Sequence, residues 1–493
     1  MIASFNPPST IENGLPHAAL AAGCALGHEA LLAMERRRTG LSLWESGRLA
    51  EAAEALSAAA GFAPNDACVL RELGSVLWAA GRHADALQPL ARAVEIDPRH
   101  LQGWLTLASV AHTAGHKIAA EHAFLAALDL APACVDAATG LAFLHFEQKR
   151  YAEAAKGFEA VVASGSAPPH LWACLGQTRR LLGEFAAARE AFELAARAAP
   201  QEASFVEKYA RARFIETAIF APVDAAIEAY REAAGNAADD IEAVCRDAFQ
   251  CLAGFGHLAG AARLAEALLA GAPDDPIIAW HLDALNGVHR ERAPDAYLAA
   301  CFDKYAAKFE RHLVETLGYD IPAQCNALLL QTGRRFANIL DLGCGTGLVA
   351  PHLAALGGAL TGVDLSAGML ERARARGRYH RLFQAEATAH LSSQEDFYDL
   401  IVALDVLIYF GDLATVFDLV SSRLAPGGIF AFSYEFGSGR DYSFLKTGRF
   451  AHDPEYIERL SRGRFDYLAD IVTTVRLEAN APLEGRLVLL RRV

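Results

Sequence analysis

Four glycines, Gly47, Gly81, Gly115 and Gly183, stand 34, 34 and twice 34 residues apart. Four prolines, Pro64, Pro98, Pro132 and Pro200, keep the same step, each 17 residues after its glycine. A glycine turn in mid-period and a proline at its end divide each unit into two helices. The positions between agree. The second unit carries Leu73-Gly74, Ala86 and Ala93; the third carries Trp104, Leu107-Ala108, Ala120, Phe124 and Ala127; the fifth carries Trp172, Leu175-Gly176, Ala188, Phe192 and Ala195. Small residues at fixed places let two helices approach, and large ones fill the seam to the next unit. Such a unit cannot bury its apolar face alone, so the units must stack into one continuous superhelix.

The fourth unit departs from the pattern. Lys149 stands where the glycine belongs, and the closing proline arrives late, at Pro168. Gly256 and Pro273 are again 17 apart, so residues 201–295 read as further helical hairpins with worn consensus. Period and residue types resemble tetratricopeptide repeats. The resemblance implies a concave groove that takes a peptide or protein partner; a homodimer contact and passive support of the rest of the chain are the alternatives. The expected organisation is a helical leader at 1–36, repeats at 37–200, degenerate helical repeats at 201–295 and a second domain at 296–493.

The chain has 493 residues, too many for one ordinary core. Its net charge of −14 argues against a nucleic-acid-binding surface. Nine cysteines are scattered singly, without C-x-x-C or a His/Cys grouping at metal spacing, which suits a reducing cytoplasm and predicts no metal site. No apolar run reaches about eighteen residues, so no membrane span is expected. The small-residue stretch from Ala18 to Gly27 lacks a basic start and does not read as a signal peptide.

The second domain announces itself at Asp341-Leu342-Gly343-Cys344-Gly345-Thr346-Gly347. An apolar strand, Phe336 to Leu340, precedes it, and a helix pattern from Leu348 to Leu356 follows. Strand, glycine turn and helix open a nucleotide-binding α/β sheet. A dinucleotide site wants G-x-G-x-x-G, but counted from Gly343 the last position is Leu348. The next strand, Ala359 to Val363, ends in Asp364, about twenty residues on, where a carboxylate can take both hydroxyls of a ribose. Ser366 is free to cap the following helix, leaving Asp364 available. Two further strands run to Glu386-Ala387 and to Asp405-Val406-Leu407-Ile408-Tyr409-Phe410. Leu424-Ala425-Pro426-Gly427-Gly428 then turns a helix into the strand Ile429 to Tyr434.

The G-x-G-x-G spacing and the ordered strand ends resemble class I methyltransferases that use S-adenosylmethionine. That likeness implies an α/β Rossmann-like domain with a mostly parallel seven-stranded sheet. It places Asp341, Gly343, Cys344, Gly345, Gly347, Asp364, Leu365 and Met369 along the cofactor, with Glu386 and Ala387 at the adenine. Asp405 stands where the methyl group is presented. The family usually has aspartate where this chain has Glu386.

The whole chain resembles bacterial methyltransferases that carry tetratricopeptide repeats. The likeness rests on Phe302-Asp303-x-Tyr305-Ala306 with Phe309 and His312-Leu313, on the loop, on Tyr409 to Leu413, on Phe430 to Glu435 and on Gly448 to His452. Helices before strand one commonly lid the cofactor in this fold, which brings in Tyr305 and Tyr319. Candidates at the acceptor end are Tyr409, Glu435, Arg449 and His452. Histidine has the right unperturbed pKa for a general base. Arg449 can pair with a substrate carboxylate or phosphate, and an Arg449–Glu435 ion pair is the structural alternative. The expected function is methyl transfer to a peptide or protein recruited by the repeats. The alternatives are a small-molecule O- or N-methyltransferase that uses the repeats for assembly, and an adaptor with a vestigial enzyme domain.

Overall fold

A computed structural model describes residues 27–493 except 164, 166, 236–239, 308, 311–312, 314–317, 438–440 and 479–480. Most of the leader expected at 1–36 and the motif residue His312 lie outside the described residues. The chain forms two compact units, Met1–Ala212 and Arg213–Val493.

Among the described residues of the first unit ten helices pair off: α1 (His28–Glu45) with α2 (Leu49–Phe62), α3 (Ala67–Ala79) with α4 (His83–Ile96), and α5 (Leu101–Thr113) with α6 (Lys117–Leu130). The fourth pair is α7 (Val135–Glu147) with α8 (Tyr151–Ala163), and the fifth is α9 (Pro169–Leu181) with α10 (Phe185–Ala198). Helix α1 begins within the stretch expected as leader. The turns at Gly47, Gly81, Gly115 and Gly183 have φ of 75°, 76°, 81° and 78°. Only glycine takes this left-handed conformation without steric cost. Lys149 sits at the same place with φ 61°, so the turn survives the loss of its glycine.

Close helix approach has a specific source. A Cβ on Gly40 would stand 2.6 Å from Leu56, one on Gly74 2.4 Å from Leu90, and one on Gly176 2.8 Å from Phe192. The equivalent positions in the third and fourth units are Ala108 and Ala142, both fully buried, in line with Phe124 and Phe158. One small residue per unit thus admits one large residue from the second helix.

In the second unit α11 (Ala203–Phe220, which begins before Arg213), α12 (Val223–Ala234), α13 (Ile241–Gly254), α14 (Leu258–Gly271) and α15 (Pro276–Asn286) lead to α16 (Asp295–Tyr305) and α17 (Ile321–Gln331). Gly256 repeats the left-handed turn with φ 78°. The strands are β1 (Asn338–Leu342), β2 (Ala359–Asp364), β3 (Arg381–Gln384), β4 (Tyr398–Ala403), β5 (Leu424–Phe436), β6 (Tyr442–Phe444), β7 (Phe450–His452), β8 (Phe465–Glu478) and β9 (Ala481–Arg492). Between them lie α18 (Ala350–Ala355), α19 (Ala367–Ala375), α20 (Ala387–Ser393), α21 (Ala414–Arg423) and α22 (Pro454–Ser461).

The expected seven strands run in the order β3-β2-β1-β4-β5-β9-β8, with β9 antiparallel to both of its neighbours. A short β6–β7 hairpin adds to the end of β5 through Glu435 and Phe436. Period-two alternation sorts the side chains onto two faces. Leu340, Ile401, Phe430 and Phe432 pack in one core layer, and Ile339, Leu400, Ile429 and Ala431 in the other. The boundary expected at 295/296 falls inside this unit. There the Trp280 indole N–H, on α15, donates to Gly448 O at 2.9 Å and the ring packs on Tyr297, Phe444 and Phe450.

Lys149→Gly is expected to raise the unfolding free energy by about 1 kcal/mol, the usual cost of a left-handed non-glycine residue. Urea denaturation checks this; an unchanged or lower midpoint would mean that the lysine is not strained.

Candidate active site

Gly343, Gly345 and Gly347 all have positive φ, 63°, 53° and 82°. A Cβ on Gly343 would lie 2.4 Å from Val406, and one on Gly347 3.0 Å from the Tyr379 ring. The loop after β1 therefore bends back tightly over the ends of β2 and β4. The Cys344 N–H fastens it by donating to Val363 O at 2.9 Å. Burial pushes the Cys344 thiol up, leaving it a small inert filler.

The loop borders a cavity of about 290 Å³ at the C-terminal ends of the parallel strands. Asp341, Gly343, Cys344, Gly345, Asp364, Leu365, Met369, Glu386, Ala387, Asp405, Tyr305, Tyr319, Tyr409 and Arg449 all line it. Gly347, Glu435 and His452 are not among its lining residues.

Of the carboxyl groups on this wall, Asp364, Asp341 and Glu386 stand in different states. Asp364 accepts the Gly345 N–H on Oδ2 and the Ser366 N–H on Oδ1, both at 2.8 Å. Each oxygen keeps a second lone pair. Ser366 caps α19 through the Met369 N–H, so the cap is separate from Asp364. Asp341 is 2% exposed, and its Oδ2 accepts the Tyr379 hydroxyl at 2.6 Å. Burial pushes its carboxyl up to about 7, the Tyr379 bond opposes this, and the charge of Asp364 adds to it. Glu386 caps α20 with Oε2, which takes the Ala389 N–H at 2.8 Å. Its Oε1 is buried without a hydrogen-bond partner among the described residues, and Arg292 Nη1 stands 3.8 Å away. The Thr346 hydroxyl, also on the cavity wall, is equally unpartnered. Unsatisfied buried polar atoms on a cavity wall are groups waiting for a ligand.

The opposite wall comes from α16. The Asp303 carboxylate takes the Ser366 hydroxyl and, at 3.0 Å, the Gly368 N–H. This ties α16 to the turn after β2 and brings Phe302 and Tyr305 onto the cavity. Asp303 was visible only as part of a motif, without a role. Tyr319 is buried against the same core as Ile321.

Beyond β4 the site carries alternating charge. Asp405 has φ 59°, one of two non-glycine residues with positive φ among those described. Its N–H donates to the buried Ser433 hydroxyl at 2.8 Å, and its Oδ1 accepts from Arg476 Nη1 at 2.7 Å. Arg476 also donates to Glu435. Arg449 donates from Nε to Glu435 Oε1 at 2.7 Å and from Nη2 to both oxygens of Glu478 at 2.7 and 2.8 Å. Glu435, expected at the acceptor, instead lies 1% exposed behind both arginines as their common counter-ion. Arg476 was missed. It is a lone arginine on β8, and no local motif marks it.

His452 is fully buried and faces away from the cavity lining. Its ring stacks on Tyr456 at 6.3 Å, and Nε2 donates to Gly411 O at 3.0 Å. Burial pushes its pKa down to about 4, so it is neutral at pH 7. This position gives it no reach to an acceptor, and its role as base is withdrawn on that ground. Burial likewise raises the Tyr409 phenol well above its usual range.

Comparison with known proteins now gives the class. Residues 340–432 match the family model described as a methyltransferase domain, and residues 37–100 and 105–170 match that of the tetratricopeptide repeat. The chain is a tetratricopeptide-repeat protein with a methyltransferase domain. It is 32% identical over 137 residues to malonyl-[acyl-carrier protein] O-methyltransferase of Salmonella typhimurium, covering 28% of this chain and 52% of that one. It is 32% identical over 102 residues to a ubiquinone biosynthesis O-methyltransferase of Hydrogenovibrio crunogenus, covering 19% of this chain and 41% of that one. The chain thus spans about half the length of the curated relatives it matches. The solved N-methyltransferase NodS of Bradyrhizobium japonicum WM9, in complex with S-adenosyl-L-homocysteine, has a TM-score of 0.32 at 21% identity, covering 40% of this chain and 98% of its own.

Arg476→Met leaves the buried Glu435 and the half-buried Asp405 without one of their cations. It is expected to lower stability by about 3–5 kcal/mol, the usual cost of breaking a buried pair from one side. Chemical denaturation of the full chain checks this; a loss below 1 kcal/mol would mean that water already screens the cluster.

Proposed function

We propose that this chain is an S-adenosylmethionine-dependent methyltransferase that transfers the methyl group to oxygen. The supporting observation is that Asp364, Glu386 and Asp341 stand around one glycine-walled cavity, each with capacity left over. Asp364 has lone pairs for two ribose hydroxyls. Glu386 Oε1 suits the adenine amino group, and its extra methylene relative to aspartate is absorbed by the N-cap that Oε2 makes. Asp341 offers a carboxyl to the ammonium of the methionine portion. Tyr305 and Tyr319 close the cavity from the side of α16 and α17. The cofactor supplies an electrophilic methyl group on a sulfonium. The protein's contribution is to orient the acceptor and to exclude water.

Oxygen is favoured over nitrogen because the curated relatives reported above are named as O-methyltransferases. The repeats recruit a peptide or protein, either as carrier of the acceptor or as a partner; a homodimer through the same surface is the alternative. Among the described residues no helix is long and apolar enough to cross a membrane. Together with the scattered single cysteines, this supports a cytoplasmic setting.

Isothermal titration should show S-adenosylhomocysteine binding to the full chain. Asp364→Ala is expected to weaken it about a hundredfold or more, because two charge-assisted hydrogen bonds go with the carboxylate. Absence of binding by the wild-type chain would remove the enzyme reading.

Affinity is also expected to depend on pH through Asp341. Its folded pKa is raised to about 7, and only the ionised form attracts an ammonium. Binding should therefore be about tenfold weaker at pH 6 than at pH 8. A flat profile would mean that Asp341 does not face the charged end of the ligand.

Deleting residues 1–200 is expected to leave S-adenosylhomocysteine affinity unchanged and to cut turnover on the true acceptor. Unchanged turnover would end the recruiting role of the repeats.

A further inference from the structure

Among the described residues the acceptor end of the cavity is short of a base. Among the described residues no histidine lines it, and the buried His452 is turned to Gly411. The Tyr409 and Tyr319 hydroxyls line it, but burial raises both well above their usual range. Asp405 already gives one oxygen to Arg476. An aliphatic amine with a pKa near 10.4, or a phenol near 10, is protonated at neutral pH and has to lose a proton to react. A carboxylic acid, with a pKa near 4, reaches the site as the nucleophile.

The same end of the cavity holds two guanidiniums. Arg449 and Arg476 both line it. They are paired with the buried Glu435, the half-buried Asp405 and Glu478, which lies at the rim with 37% of its side chain accessible. Arg449 uses Nε and Nη2 on these carboxylates, and its Nη1 makes no hydrogen bond within the described residues. The rest of this wall is apolar: Leu298, Phe302, Val406, Ile408 and Phe410. A guanidinium N–H left open in a largely apolar wall suits one oxygen of an anion on an apolar body.

We propose that the methyl acceptor is a carboxylate carried on an apolar body, held by Arg449, and that the product is a methyl ester. This rests on the methyl-transfer reading above. A carboxylate oxygen forms a bond to the methyl carbon, the carbon–sulfur bond breaks, and its electron pair stays on sulfur. One anion and one sulfonium give a neutral ester and a neutral thioether. No proton is released, so the step needs no base. Arg449 orients the carboxylate through one oxygen and leaves the other free to react.

Two readouts on the full chain test this. In the first, cell extract is incubated with the protein and S-adenosylmethionine labelled in its methyl group, and the product is treated with mild alkali. Label that leaves as volatile methanol, and that falls at least tenfold with Arg449→Gln, is the expected result. Label that resists alkali, as on an amine, a phenol or a phosphate diester, overturns the proposal. So does an absence of label while S-adenosylhomocysteine still binds. In the second, the chain saturated with S-adenosylhomocysteine is titrated with octanoate, octylamine and 1-octanol. Octanoate is expected to bind best and to weaken at least tenfold in Arg449→Gln, with S-adenosylhomocysteine affinity within twofold of wild type. That retained affinity also shows that the variant is folded. Equal or better binding of octylamine or octanol overturns the proposal. Failure of the wild-type chain to bind S-adenosylhomocysteine would instead remove the reading beneath it.

Discussion

The carboxylate of Asp364 joins two turns that would otherwise be independent. One oxygen holds the backbone of the glycine loop after β1, and the other holds the turn after β2. The loop can come close enough only because Gly343, Gly345 and Gly347 accept left-handed backbone. The turn after β2 in turn receives α16 through Asp303, which brings Phe302 and Tyr305 to the cavity. One half-buried carboxyl group, over backbone that favours glycine, thus holds the cofactor side together.

Much of this was legible because it is local. Glycine spacing, strand length and the acidic residues at strand ends are properties of short segments, and the sheet puts those ends together by its topology. The repeats were legible for the same reason. A step of 34 residues survives even at Lys149, because stacking on neighbouring units holds a turn that the residue itself disfavours.

The acceptor end was less legible, because its partners come from distant strands. Arg476 reaches Asp405 across 71 positions and Glu435 across 41. Nothing in the neighbourhood of either carboxylate announces the arginine. His452 has the chemistry of a base but sits on β7, behind Tyr434 and Tyr456, where its ring serves packing. Glu435 ends the same strand that was expected to present it, yet the arginines stand between it and the cavity. Residue type and order suggested roles there, and tertiary placement redistributed them.

The ligand of the glycine-walled cavity decides what this domain can catalyse. Parallel equilibrium titrations of the full chain with S-adenosylhomocysteine and with NAD separate the two cofactors that such a loop can serve. The expected result is saturation by S-adenosylhomocysteine at one molecule per chain and no binding of NAD. Saturable binding of NAD, with none of S-adenosylhomocysteine, would contradict it.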